Sequence, residues 1–324
     1  MIITRTPYRV SLFGGGTDHP SWFKENNGAV FSFAIDKYCY INVRELPPFF
    51  QHNYRISYSR VEMTKEINQI EHPAVREVIR KYSPELHLEI HHHGDLPAQS
   101  GVGSSSAFAV GLIHTILALK GQTPTKEYLA ELAIDLEQRV LLETVGSQDQ
   151  IACALGGVNF IEFYRDRKWV ANKVNLDDEY RKDFESRPIL LYSGVSRMSS
   201  DVSKGLVQNF KSSSEAMKKT HQLAIDCFDI FSKKGDLDQI GPMLLESWEL
   251  KRRANPDSVT PELENLLSEA LAAGATGGKI LGAGGGGFCL FWVPPKVRDN
   301  FILKMNKYVR VPFSISHEGT TRIV

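Results

Sequence analysis

Pro97-Ala98-Gln99-Ser100-Gly101-Val102-Gly103-Ser104-Ser105-Ser106-Ala107 is the stretch from which the rest of this 324-residue chain is best read. Its two glycines let the backbone turn tightly. The serines open a run, Ser104 to Lys120, that is small and apolar nearly all round, the pattern of a buried helix. Unpaired N–H groups at such a helix start, together with the positive end of its dipole, suit a polyphosphate. The hydroxyls of Ser104, Ser105 and Ser106 add neutral donors or a ligand for magnesium. No Gly-Lys-Ser/Thr follows, so the loop is not a Walker A loop. Gly101 and Gly103 lack a third glycine at 106 and do not directly follow an apolar strand, which argues against a dinucleotide loop. A plain helix N-cap on a flexible loop is the alternative, although three serines exceed what capping requires.

Outward from this loop the chain reads as mixed strands and helices. Arg5 to Phe13 and Ala29 to Val43 have strand character, the second broken by Asp36-Lys37, and Leu86 to His92 alternates. Pro73 to Tyr82 has helical spacing. On the other side, Thr125 to Thr144 carries Leu129, Leu132, Ala133, Leu136, Val140 and Leu141 on one stripe, which predicts a helix opening after Pro124. A short helix and a strand, Asn159 to Phe163, come next. Charged, irregular sequence from Arg165 to Arg187 marks a seam. Beyond it lie strand Ile189 to Tyr192, three helices, strand Phe288 to Val293, a helix near Pro295 to Tyr308 and a last strand, Val311 to His317. Without a regular βαβ period the class is α+β, in two domains, residues 1–187 and 188–324.

Two more glycine-rich loops and one acidic turn stand out. Gly282-Ala283-Gly284-Gly285-Gly286-Gly287 leads into a strand rather than a helix, so its G-x-G-x-x-G spacing is fortuitous. Four consecutive glycines weaken a strand, which points to a ligand or another backbone approaching closely; a tight hairpin is the alternative. Arg9 to Asp18 ends a strand with Gly14-Gly15-Gly16-Thr17-Asp18, a turn or a site. Gly146-Ser147-Gln148-Asp149-Gln150 places Asp149 at the start of a short helix, as a cap or as a carboxylate able to take a proton from a hydroxyl. Glu137, twelve residues earlier, falls mid-helix, where a solvated face is the ordinary reading. His91-His92-His93 reads as a polar strand end, its members divided between two faces. Trp22-Phe23 either walls a site or packs in the core.

Composition limits the function classes. Thirty-eight basic residues balance thirty-eight acidic ones, so a global electrostatic grip on nucleic acid or an anionic membrane is not expected. With 42% hydrophobic residues and no low-complexity tract, wholesale disorder is excluded. No stretch approaches the roughly 18 apolar residues of a membrane span. The first residues are too short in apolar run for a signal peptide. The four cysteines, Cys39, Cys153, Cys227 and Cys289, form no C-x-x-C pair. The expectation is a soluble cytoplasmic protein.

In combination and in this order, the three glycine-rich segments resemble the GHMP kinase superfamily (galactokinase, homoserine kinase, mevalonate kinase and phosphomevalonate kinase). The resemblance spans the chain, from Arg9 to the glycine run preceded by Lys279-Ile280-Leu281. It implies an N-terminal domain like ribosomal protein S5 domain 2 and a ferredoxin-like C-terminal domain. Gly14-Gly15-Gly16-Thr17-Asp18 looks like the sugar 1-kinases, most of all the D-glycero-D-manno-heptose 7-phosphate kinases. Gln148-Asp149-Gln150, Gly156 to Phe160, Arg197 after Gly194, Ser247-Trp248 and Ser316-His317-Glu318-Gly319 also resemble that group. Galactokinases carry Gly-Glu-His-Thr-Asp where this chain has three glycines, so two of their sugar contacts are missing.

The resemblance implies an ATP- and magnesium-dependent phosphorylation of an anomeric hydroxyl, with a sugar or sugar phosphate as partner. Asp149 would be the base and Arg9 would stand at the position of a catalytic Lys or Arg. Gly101, Gly103, Ser104, Ser105 and Ser106 would hold the triphosphate. Ser105 and Glu137 would hold magnesium. Thr17, Asp18, Gly284 and Gly285 would line the sugar side. A sugar that already carries a terminal phosphate needs a cation at the far end of its pocket, for which Arg197 and then Lys251 are the candidates. Other sugar 1-kinases, for fucose or a free hexose, and a catalytically silent sugar-binding regulator are the alternatives.

Overall fold

In the computed structural model, residues 1–166, 168–194, 214–254, 256–282 and 284–324 are described. Strands β1 (Ile2–Phe13) and β2 (Gly28–Glu45) pair antiparallel along almost their whole length and form the spine of the first sheet. The interruption expected at Asp36-Lys37 is a bulge, not a break: Pro7 faces Tyr38 while the next residue, Tyr8, faces Ile35. Pro7 has no N–H to give the ladder, which makes this the point where the register can slip.

At 18 residues, β2 is long enough to carry two further partners. Its first part pairs with β6 (Val158–Phe163) and its last part with β5 (Leu88–Gly94). β7 (Trp169–Lys173) lies beyond β6, while β3 (Tyr54–Ser57) and β4 (Val61–Thr64) extend the β5 side. α1 (Pro20–Asn26) follows the first glycine loop, and α2 (Pro73–Tyr82) forms where the periodicity puts it.

α3 (Ser104–Leu119) runs across β1 and β2, buried on almost every side, as its uninterrupted apolar sequence requires. The Thr4 hydroxyl donates to the Gly111 carbonyl at 3.2 Å, seating the helix on β1 without an unmatched polar group. The helix expected over Thr125 to Thr144 is shorter. α4 (Lys126–Asp135) passes into a wide turn, Leu136–Val140, and the chain then unwinds. The Leu141 N–H reaches back five residues to the Leu136 carbonyl at 2.9 Å, and Leu142 at φ 55° cannot continue a helix. The extra width turns Glu137 inward.

α5 (Gln148–Leu155) and α6 (Asp178–Glu185) complete the first half. The second sheet has the order β11 (Val309–Val311), β8 (Pro188–Tyr192), β10 (Phe288–Trp292), β9 (Gly277–Ile280), all antiparallel. α9 (Pro261–Ala273) and α10 (Arg298–Lys304) pack on it through Leu263, Leu266 and Phe301. α7 (Ser214–Ser232) and α8 (Ile240–Ala254) lie between the two sheets, α7 against β2 and α8 against β9. The last strand expected over Val311 to His317 is divided. Pro312 ends the ladder after Val311, Ile315 bridges to Ile35, and β12 (Thr321–Arg322) returns to pair with β1. Among the described residues no helix is long and apolar enough to cross a membrane.

The halves meet where two glycine loops interlock. A side chain on Gly101 would come within 2.5 Å of the Leu281 carbonyl oxygen, and one on Gly282 within 2.6 Å of the Gly101 Cα. Both residues have positive φ. The Phe288 N–H donates to the Ser100 carbonyl at 3.0 Å, tying β10 to the same turn. Gly282→Ala should therefore separate the loops, lowering the melting temperature by several degrees, the scale of about 1–3 kcal/mol of backbone strain. Scanning calorimetry of the substituted protein checks this; an unchanged melting temperature contradicts the interlock.

Candidate active site

A cleft of about 670 Å³ opens along this junction. Arg9, 3% exposed, lines it from β1, between the two register shifts of the β1–β2 pairing. Its Nε and Nη2 donate to the two Asp149 carboxylate oxygens at 2.7 and 2.6 Å, and Nη1 donates to the Gly101 carbonyl at 2.6 Å. Burial works against the guanidinium charge, but Asp149 outweighs it and holds the Arg9 pKa above the ordinary arginine value. One side chain thus grips the acidic turn in a bidentate geometry and joins it to the glycine loop at Gly101.

The N-terminus of α3 faces the same space. Its first intrahelical bond runs from the Ala107 N–H to the Gly103 carbonyl at 2.8 Å, so the N–H groups of Ser104, Ser105 and Ser106 precede the ladder. No side chain caps this end. Ser104 and Ser105 line the cleft, Ser105 exposed.

Glu137 is not on a solvated face. It is buried behind the loop, where it accepts a hydrogen bond from the Ser106 hydroxyl at 2.8 Å and another from the Gln150 side-chain amide. Burial pushes its pKa up to about 8, with the Glu143 and Asp149 charges adding to the rise. The Gln150 amide oxygen beside it is buried without a partner. A buried carboxylate with hydroxyl and amide oxygens around it is a set of hard donors that gains from a small divalent cation.

Asp18 is the keystone of the acidic turn. Its carboxylate accepts from the Gly16 N–H at 2.8 Å and from both the backbone and side-chain N–H of Gln148 at 3.1 Å. Burial, then the Asp149 charge, raise its pKa. A side chain at Gly146 would sit 1.8 Å from Asp18 Oδ2, so that glycine is required by close approach.

Two expectations for the sugar side are corrected, and of the two readings of Trp22-Phe23 the core one holds. Thr17 does not face the cleft: its hydroxyl donates to the Gly14 and Ala29 carbonyls at 2.7 and 2.9 Å and holds the turn closed. Gly284 and Gly285 pack on Ser258, whose carbonyl accepts the Gly285 N–H at 2.7 Å; among the described residues of that run, Gly282 is the one at the cleft. Trp22 and Phe23 are core residues, Phe23 stacked on Phe163 at 5.6 Å. Arg197 lies outside the described residues. Lys251 does line the cleft, half-buried, with its ammonium donating to the Ile280 and Gly282 carbonyls at 3.2 and 2.6 Å.

Several lining residues have no role assigned to them by the sequence. Lys279 is buried on β9, its ammonium donating to the Leu12 carbonyl at 2.7 Å. An aromatic wall of Tyr58, His72, Phe108 and His92 closes another part of the cleft, with His72 stacked on Phe108 at 4.9 Å. The alternation read for the histidine run holds: His91 and His93 stack on one face of β5 while His92 contacts Phe108 on the other, its pKa pushed down to about 4 by burial.

The chain is similar to known proteins over its whole length. Residues 63–157 match the GHMP kinases N terminal domain and residues 225–311 the GHMP kinases C terminal domain. The chain is 30% identical, over 98% of its length and 97% of the relative's, to D-glycero-alpha-D-manno-heptose 7-phosphate kinase of Campylobacter jejuni. Its fold superposes with a TM-score of 0.82 on a D-glycero-D-manno-heptose 1-phosphate kinase from Bacteroides thetaiotaomicron, at 24% identity over 100% of this chain and 99% of the other. For Lactococcus lactis galactokinase in complex with galactose the TM-score is 0.72, at 17% identity over 99% and 94% of the two chains.

The Glu137 environment makes a prediction with a definite sign. Its folded-state pKa is raised, so folding favours the neutral carboxyl, and that stabilisation is lost as pH rises through about 8. Without metal, Glu137→Gln should melt above the wild type near pH ~9, the difference shrinking toward pH ~5. A wild-type advantage at the higher pH in thermal melts contradicts the burial argument.

Proposed function

The chain belongs to the GHMP kinases, and on that footing we propose that it transfers the γ-phosphoryl group of ATP to the anomeric hydroxyl of D-glycero-D-manno-heptose 7-phosphate, giving the 1,7-bisphosphate. The observation that carries the reading is the Arg9–Asp149 pair, which sets a carboxylate and a guanidinium at the uncapped start of α3. The heptose assignment draws its support from the relative of that name.

In this reading the sugar C1 hydroxyl lies against Asp149, and its proton passes to the Asp149 carboxylate as the oxygen attacks Pγ. The bond from Pγ to the ADP oxygen breaks. Arg9 offsets charge on the transferring group, and the N–H groups and hydroxyls of Gly101 to Ser106 hold the β and γ phosphates. Phosphoryl transfer needs positioning and charge neutralisation more than covalent help, and these residues supply both. Glu137 and Ser105 would hold the magnesium ion, with Ser106 and Gln150 orienting the Glu137 carboxyl. When bound, magnesium supplies positive charge to the phosphate oxygens. The aromatic wall at His72 and Phe108 suits the nucleobase.

Asp18 belongs to the sugar side through Gln148: it fixes the turn that carries Asp149, and its carboxylate lines the cleft beside the sugar position. The four cysteines are free and buried, which agrees with the cytoplasmic setting proposed.

Asp149→Asn should lower kcat by about 100-fold or more with little change in ATP affinity, because the base and its charge are lost while the phosphate loop is kept. A coupled assay for ADP release with heptose 7-phosphate, fucose, galactose and mannose tests both parts. Near wild-type turnover removes Asp149 from the chemistry. Faster turnover of a free hexose or fucose overturns the heptose assignment.

A further inference from the structure

Two buried ammoniums in the cleft are left over from the chemistry described above. Lys251 (α8), half-buried, and Lys279 (β9), buried, both line it, and among the described residues the hydrogen bonds of each ammonium go to backbone carbonyls. Among the described residues neither forms an ion pair, whereas Arg9 beside them is matched by Asp149. Burial comes first in lowering both lysine pKa values. The neighbouring charges of Lys251 and Arg9 lower that of Lys279 further. Burying two like charges without a counter-ion is unfavourable unless a ligand completes the site.

Two more polar groups in the same wall are incomplete. Trp248 lies one helical turn before Lys251 on α8, is 2% exposed, and its indole N–H has no acceptor among the described residues. The Ser11 hydroxyl, next to Leu12 whose carbonyl takes Lys279, is 5% exposed and has no partner among them either. Both residues line the cleft. Two ammoniums, one N–H and one hydroxyl make a donor set for a doubly charged oxyanion.

ATP is the less suitable source of that anion. Its phosphates are already met by the α3 N-terminus and its serines, and the side chain β1 brings to that loop, Arg9, is spent on Asp149 and the Gly101 carbonyl. Ser11 instead adjoins Gly15, which in turn lies near the Gln148 amide held by Asp18, on the sugar side. We propose that Lys251, Lys279, Trp248 and Ser11 form a subsite for the phosphate monoester carried by the sugar itself. The inference rests on the sugar-phosphate reading above and names what recognises the second phosphate.

The test compares D-glycero-D-manno-heptose 7-phosphate with the same heptose lacking phosphate, and both with ATP, in the wild type, in Lys279→Met and in Trp248→Phe. The ratio of kcat/KM for the phosphorylated over the unphosphorylated sugar should fall about tenfold or more in Lys279→Met, the scale of a lost charge-assisted contact. It should fall a few-fold, roughly 2–5, in Trp248→Phe, which removes one N–H and keeps the ring. The rise in KM for the sugar phosphate should exceed any rise for ATP. If Lys279→Met does not fold, Trp248→Phe decides alone. A ratio kept in both variants, with the wild type still preferring the sugar phosphate, overturns this inference and leaves the kinase reading intact. A larger rise in KM for ATP assigns the lysines to the nucleotide and overturns it too. A wild type that prefers the unphosphorylated heptose overturns the sugar-phosphate reading and this subsite together.

Discussion

A guanidinium buried as deeply as Arg9 has to be matched in full, and matching it organises the site. Two of its nitrogens grip both oxygens of Asp149 and a third grips the Gly101 carbonyl, at 2.6 to 2.7 Å. Removing either partner would leave a charge in a desolvated place, at a cost of several kcal/mol. The pair therefore holds three remote stretches, the middle of β1, the glycine loop at Gly101 and the acidic turn, in one arrangement. Everything else at the cleft is built around that fixed distance between a carboxylate and a helix start.

Close backbone approach does the remaining positioning. Gly101 against Gly282 brings the second half of the chain to the phosphate loop, and Gly146 against Asp18 seats the acidic turn. Such contacts tolerate no side chain, so the local entropy that glycine gives up is offset by a geometry other residues cannot reach. The wide turn at Leu136–Val140 plays a similar part, trading helix regularity for a carboxylate turned inward. Glu137 is then held by Ser106 and Gln150 at the edge of ionisation, where a cation has the most to offer.

Much of this was legible in the chain itself. The phosphate loop, the helix behind it and the mixed α+β class follow from glycine placement and apolar periodicity, and the order of three glycine segments led to the kinase family. What escaped notice has a common physical cause. Lys279 sits in a four-residue strand whose neighbours look like any buried β sequence, and only the register of β9 against β10 brings it to the cleft. Periodicity puts Glu137 on a regular helix, and nothing in a stripe of Leu and Val announces an i→i+5 turn. Thr17 and Gly284 were assigned by motif position, yet the one closes its own turn and the other rests on Ser258. Motif position locates a segment; which of its atoms face the ligand is settled by packing from elsewhere in the chain.

The account's central claim is that the acceptor is an anomeric hydroxyl held against Asp149. Phosphorus and proton magnetic resonance of the product formed from ATP and D-glycero-D-manno-heptose 7-phosphate tests it most directly. The claim predicts a new phosphate signal coupled to the anomeric proton, appearing in step with ADP and with the 7-phosphate retained. A new phosphate coupled to any other ring proton, or ADP released with no phosphorylated sugar, would contradict it.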